Sequence, residues 1–228
     1  MKGEAPRPVP AAVRDLAHRL CAIAQIGDVR LTQKGRMRQD AASSWMTFSA
    51  RQTISITTCA FEWRARTGPA GMVSIRDALA GGEGVLDVRA LDFIPMARIG
   101  SSPAITRGEL MRYLAELSLA PAAILFNPSL SWRSDGPDRL IVSARAGDQT
   151  AEVSLTLDSE GRIASVFASD RPRAAKADFV PTPWHGRFTD YRQHLGVWLP
   201  FAAEVGWTID GAPIVSWEGR MQSWAVSK

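Results

Sequence analysis

Period-two alternation of apolar and polar residues runs through most of this chain, and it constrains the fold more than any single motif. Val29 and Leu31 alternate with Arg30 and Thr32. Met46, Phe48, Ala50 and Ile54 alternate with Thr47, Ser49 and Arg51, and Phe61, Trp63 and Ala65 alternate with Glu62, Arg64 and Arg66. Ala151, Val153, Leu155 and Leu157 repeat the pattern against Glu152, Ser154 and Thr156. Successive side chains on a strand point to opposite faces, so each run has one buried face and one wet face. The runs are separated by turn chemistry: Gly81 to Gly84, Ala146-Gly147-Asp148, Asp158 to Gly161, and Asp210-Gly211, the strongest two-residue hairpin signal in the chain. About ten or eleven strands result, and hairpin-linked neighbours make an antiparallel sheet.

Two segments change period. From about residue 10 to 24, Val13, Leu16, Ala17, Leu20 and Ala24 fall on one helical stripe, with Arg14, Asp15, His18 and Arg19 on the rest. At mid-chain, Thr106-Arg107-Gly108-Glu109 reads as a capping box that opens a second helix. Leu110, Tyr113, Leu114 and Leu117 follow as its apolar stripe, and Pro121 ends it. The polar face kept by so many strands argues against a two-sheet sandwich. The fold expected is mainly β (α+β): one long, strongly curved antiparallel sheet, a half-barrel, with the two main helices on its inner face. Residues 1–9, with Pro6 and Pro8, read as a flexible lead to a single domain over residues 10–228.

Composition narrows the function classes. Hydrophobic residues are 46% and charged residues 22% of the 228, ordinary globular values that disfavour disorder. The apolar windows Leu114 to Phe126 and Leu195 to Val205 are broken by Glu116, Pro121, Pro200 and Glu204. Neither forms the run of about 20 apolar residues that a membrane-spanning helix needs. Two cysteines, Cys21 and Cys59, are too few for a disulfide scaffold, and no apolar signal run opens the chain, so a soluble, cytoplasmic protein is expected. The net charge of +4 is spread among alternating signs, with no basic stripe, and nucleic acid is not an expected partner.

The usual marks of catalysis are missing. There is no Gly-x-Ser-x-Gly elbow and no phosphate loop ending in Gly-Lys-Ser or Gly-Lys-Thr. Gly82-Glu83-Gly84 lacks the third glycine of a dinucleotide loop, since Asp87 stands there. His18, His185 and His194 have no metal-ligand spacing, and no metal or cofactor is expected.

Several stretches together carry a resemblance. They are Gln33-x-Gly35-x-Met37-Arg38, Trp45-x-x-Phe48-x-Ala50-x-Gln52, Phe61-x-Trp63-x-Ala65-Arg66 and Gly108-Glu109-Leu110-Met111-Arg112-Tyr113. Pro183-Trp184-x-Gly186-Arg187-Phe188-x-Asp190-Tyr191 and Ala203-Glu204-Val205-x-Trp207 complete the set. Over about residues 28 to 220 the chain resembles a bacterial domain family of unknown function. More distantly, its order of elements is similar to the lipoprotein-localisation-factor half-barrel, in which a curved sheet wraps around helices and encloses an apolar cavity. That second resemblance implies a lipid-like or other apolar ligand.

The candidate site follows from aromatic residues and from charges on apolar faces. Eight tryptophans fall in or beside the strands, as core filling or as the wall of a cleft. Asp77 shares the period-two face of Val73 and Ile75, and Arg112 and Glu116 adjoin the apolar stripe of the second helix. The residues expected at a ligand are Trp63, Asp77, Arg112, Glu116, Trp184, Arg187, Tyr191 and Glu204. An ion-pair network tying helix to sheet is the slightly favoured account of these charges, because buried charges must be paired whatever their role. The function expected is non-catalytic binding of an apolar molecule in a closed cavity of several hundred Å³, a typical ligand-site volume. The alternative is an enzyme with Asp77 or Glu204 as general base and Arg112 or Arg187 anchoring an anionic substrate. A third reading, an interaction domain with an exposed sheet edge, is compatible with the same pattern.

Overall fold

A computed structural model of the protein describes residues 10–20, 27–91, 94–175 and 178–227, with backbone alone for residues 95–99. Helix α1 (Ala11–Leu20) is followed by strands β1 (Val29–Met37), β2 (Met46–Ile54), β3 (Phe61–Thr67), β4 (Val73–Ala80), β5 (Glu83–Ala90) and β6 (Ile94–Ile99). Helices α2 (Pro103–Ala115) and α3 (Ala123–Phe126) come next. The second run is β7 (Ser131–Ser134), β8 (Arg139–Ala146), β9 (Gln149–Leu157), β10 (Ile163–Ala175), β11 (Asp178–His194), β12 (Val197–Ile209) and β13 (Ala212–Val226).

All the strands form one antiparallel sheet of 13 in the order β6-β5-β4-β3-β2-β1-β13-β12-β11-β10-β9-β8-β7. The count exceeds the expected ten or eleven at the edges. Strand β7 has four residues, too short to show a period, and β6 carries Pro95, which an edge strand tolerates. The central β1–β13 pair closes the chain on itself, with Val29 opposite Val226 and Leu31 opposite Trp224.

The sheet is curled and not closed. The β4–β5 and β8–β9 turns lie nine strand steps apart in the sheet order, roughly 40 Å on a flat sheet at the usual strand spacing. Yet they touch: a Cβ placed on Gly82 would stand 2.9 Å from the Gly147 nitrogen. Helix α2 bridges the same gap, packing on β4 and β5 of one wing and on β8, β9 and β10 of the other. Strands β6 and β7 keep free outer edges.

The α2 N-terminus corrects the expected capping box. Helix α2 begins at Pro103, and the Ser102 hydroxyl accepts from the Ile105 amide at 3.2 Å. Proline at the first position of a helix loses no hydrogen bond, so the helix starts one turn earlier than a Thr106 cap allows. Thr106 lies inside the helix, and its hydroxyl accepts from the Gly84 amide at 3.0 Å, fastening α2 to β5.

Helix α1 buries Val13, Leu16, Ala17 and Leu20, four of its five expected stripe residues; Ala24 lies outside the described residues. Pro121 sits between a 3-10 turn at Glu116–Ser118 and α3, and α3 buries Ala123 and Ile124. Polar anchors join these pieces to the sheet. Tyr113 donates to the Ser55 carbonyl at 3.0 Å, and the Trp224 indole donates to the Leu119 carbonyl at 2.9 Å.

On five strands burial declines along the apolar face. On β2, Ile54, Gln52, Ala50 and Phe48 are buried, but Met46 is 45% exposed. On β12, Val197 and Leu199 are buried, whereas Val205 and Trp207 are half-covered. Strands β1, β4 and β13 repeat the gradient, ending in half-covered Met37, Ile75 and Trp217. One end of this face is therefore packed shut, and at the other its apolar residues are only partly covered.

Candidate functional site: a charged cluster at the head of an aromatic trough

Strand register brings the charges on the helix-side face together. Asp77 on β4 lies opposite Trp63 on β3, Trp63 opposite Gln52 on β2, and Gln52 opposite Leu31 on β1. Helix α2 lays Glu109 and Arg112 over this row, and the following turn adds Glu116. From the other wing, β10 contributes Arg171. Three carboxyl groups and two guanidinium groups thus meet between helix and sheet.

Their pairing is uneven. Arg112 bonds both Asp77 and Glu116, the latter at 2.9 Å, and the Gln52 amide donates to Glu116 at 2.5 Å. Its guanidinium also stands over Phe61 and Trp63, 4.9 and 5.2 Å from the ring centroids, a cation–π contact with each. Arg171 lies over Trp184 at 4.4 Å and Trp207 at 5.6 Å. Its ion-pair partner, Glu109, is 3.9 Å away, beyond hydrogen-bond range.

Glu109 is buried, only 6% exposed. Burial, and then the charge of Asp77, push its carboxyl well above the usual glutamate range. Glu109 Oε2 and Asp77 Oδ1 are both buried without a hydrogen-bond partner. Burial lowers Arg112, but Glu116 and Asp77 outweigh it and keep that guanidinium firmly charged.

The trough begins where this cluster ends. The Trp63 indole donates to Gln33 at 3.1 Å, and Phe48 meets Trp63 edge-on at 5.6 Å. Phe48 also stacks on Trp217 at 5.5 Å. Gly219 is required here, because a Cβ on it would lie 2.2 Å from the Trp217 ring. Trp207 on β12 stands opposite Trp184 on β11 and completes the wall beside Arg171.

Of the eight expected site residues, the structure gathers Trp63, Asp77, Arg112 and Glu116 directly, and Trp184 through Arg171. Arg187, Tyr191 and Glu204 lie on the opposite strand face. Arg187 and Glu204 are cross-strand partners in a groove of about 530 Å³, with Lys34, Arg36, Glu218 and Arg220. Tyr191 donates to the Ile163 carbonyl at 2.7 Å under Arg162. The expected closed chamber of several hundred Å³ also needs correction. The apolar cavity beside Pro121, Ala122 and Trp224 holds about 10 Å³, less than a water molecule needs. Close packing of Ile56, Val197 and Trp224 fills the sealed end.

Gln52, Glu109, Arg171 and Trp207 belong to the cluster and its wall but escape a sequence reading. A register shift between Ala168 and Arg171 turns Arg171 inward, against the period of the preceding residues. Gln52 and Trp207 do keep the alternation, and that is the signal that could have found them. Among the described residues, no group of three histidine, cysteine or acidic residues is placed to hold a metal, and no helix is long and apolar enough to cross a membrane.

The open, curled antiparallel sheet bridged by a helix is similar in fold to three solved structures. The chain superposes on a LolA superfamily protein from Nitrosomonas europaea with a TM-score of 0.53 at 10% identity, covering 96% of this chain and 94% of that one. A putative outer membrane lipoprotein-sorting protein domain from Vibrio parahaemolyticus gives 0.53 at 13% identity, with 94% and 90% covered. A DUF1329 family protein from Desulfovibrio piger gives 0.51 at 14%, with 96% and 93% covered. Identities this low show the fold alone. By sequence, residues 1–219 match DUF6544, and the chain belongs to that family of unknown function. No curated protein matches it.

Proposed function

We propose that this protein binds a lipid-like or other apolar small molecule in the open trough on the helix-side face, without chemical conversion. The observation that carries the reading is the burial gradient. Met37, Ile75, Val205, Trp207 and Trp217 continue the buried face of their strands but are only partly covered, and Met46 is 45% exposed. A contiguous apolar surface of this kind favours an apolar occupant. The helices then act as a plug on the inner face of the half-barrel, sealing one end and leaving the other for ligand. Likeness in fold to a putative lipoprotein-sorting protein domain agrees with such a role.

Titration with N-phenyl-1-naphthylamine, an uncharged apolar fluorophore, tests the proposal. Saturable 1:1 binding is expected, with displacement by methyl oleate and loss of binding in folded Val205→Glu, a half-covered position. Absence of saturable binding to the folded wild-type protein, or unchanged binding in folded Val205→Glu, would contradict it.

A further inference from the structure

Arg171 belongs to the buried cluster through a long ion pair alone, with no hydrogen-bonded anion. Arg112 takes both Asp77 and Glu116. Glu109, the carboxyl nearest to Arg171, is 3.9 Å away, too far for a direct hydrogen bond. No hydrogen bond joins Arg171 to another described residue, and its Nε is buried without an acceptor. Beside it, the Trp184 indole nitrogen is also buried and unpartnered, in a residue only 3% exposed. Two unsatisfied donors therefore belong to one stacked pair of side chains, the guanidinium lying 4.4 Å from the Trp184 ring centroid.

Their surroundings are shaped for this arrangement. Gly108 of α2 faces Arg171: a Cβ at that position would come within 3.9 Å of both Nε and the Pro172 carbonyl. The rings of Trp184 and Trp207 hold the plane of the guanidinium. The side chain keeps 13% exposure, and Trp207, which flanks it, is only half-covered at the head of the trough. A planar guanidinium offers paired N–H groups that match the two oxygens of a carboxylate or phosphate.

We infer that Arg171, assisted by the Trp184 indole, is a receptor for the acidic head group of an amphiphile, a carboxylate or a phosphate monoester, whose chain lies along the trough. This rests on the proposed apolar-ligand function and specifies the class of ligand. Arg112, already neutralised twice, anchors the helix; Arg171 is the cation left for the ligand.

Calorimetric titration of the wild-type protein with oleate, oleyl phosphate and methyl oleate separates the cases. At least one acid is expected to bind ten-fold or more tighter than the ester, and preference between oleate and oleyl phosphate identifies the head group. In Arg171→Gln, the acid-to-ester affinity ratio is expected to fall to about one. Equal affinity of acids and ester for the wild type would overturn the inference and leave the trough intact. An unchanged ratio in folded Arg171→Gln would also overturn it, and failure of all three ligands to bind would remove the underlying function as well. The wild-type comparison decides even if the variant does not fold.

Discussion

Gly82 and Gly147, in hairpin turns at opposite wings of the sheet, meet back to back. A Cβ on Gly82 would stand 2.9 Å from the Gly147 nitrogen, and one on Gly147 would stand 3.0 Å from the Gly82 carbonyl oxygen. This contact and the α2 bridge convert a long sheet into a half-barrel, so the trough depends on them.

The first prediction concerns this contact. Gly81 and Gly82 both have positive φ, 61° and 84°, but Gly81 has open space around it. Gly81→Ala is expected to cost about 1–2 kcal/mol from left-handed backbone strain alone. Gly82→Ala carries the same strain plus the clash, and urea denaturation should place it below Gly81→Ala. Equal stability of the two variants would mean that the turns do not support one another.

Arg112 should be the costliest charge to remove. Arg112→Ala leaves Asp77 and Glu116 buried without their cation, for an expected loss of about 3–5 kcal/mol. Arg112→Ala with Asp77→Ala and Glu116→Ala should recover part of that loss, because no carboxylate is then stranded. Denaturation midpoints of the single and triple variants check this.

Ser102 and Thr106 can be told apart by substitution. Ser102→Ala removes a helix cap, worth about 1 kcal/mol. Thr106→Val removes the acceptor of the buried Gly84 amide, at a cost of about 1–3 kcal/mol. A Thr106 cap, as the sequence suggests, would make Ser102→Ala silent.

The pH dependence follows from Glu109. Its folded-state carboxyl is raised, so the folded chain holds this proton more tightly than the unfolded chain. The stabilisation is complete below the ordinary glutamate range and is lost as pH rises through the folded value. Glu109→Gln keeps the shape and the hydrogen-bond donor but cannot ionise. Wild type should therefore lose stability relative to Glu109→Gln as pH rises through that window, by up to about 1.4 kcal/mol per pH unit. Parallel stability–pH curves for the two proteins would show that Glu109 is ionised in the fold.

Much of this architecture is legible in the chain because a buried face imposes period two on every long strand. Val29 to Leu31, Phe61 to Ala65 and Ala151 to Leu157 reveal their faces directly. Asp77, Arg112 and Glu116 stand out because they break apolar stripes. Strict counting also puts Glu204 on the face opposite Val205, and Arg187 opposite Trp184 and Phe188, so these two are legible as groove residues rather than trough residues. What local pattern conceals is register: the shift before Arg171 reverses its face. The approach of the wings is likewise a property of the whole sheet, written in no window of sequence.

Photolabelling with an uncharged alkyl diazirine, mapped by mass spectrometry, tests the trough most directly. The account predicts saturable adducts on Met37, Met46, Ile75, Val205, Trp207 or Trp217, suppressed by excess methyl oleate. Adducts confined to the opposite strand face, at Lys34, Phe167 or Arg187, or unaffected by that competitor, would contradict it.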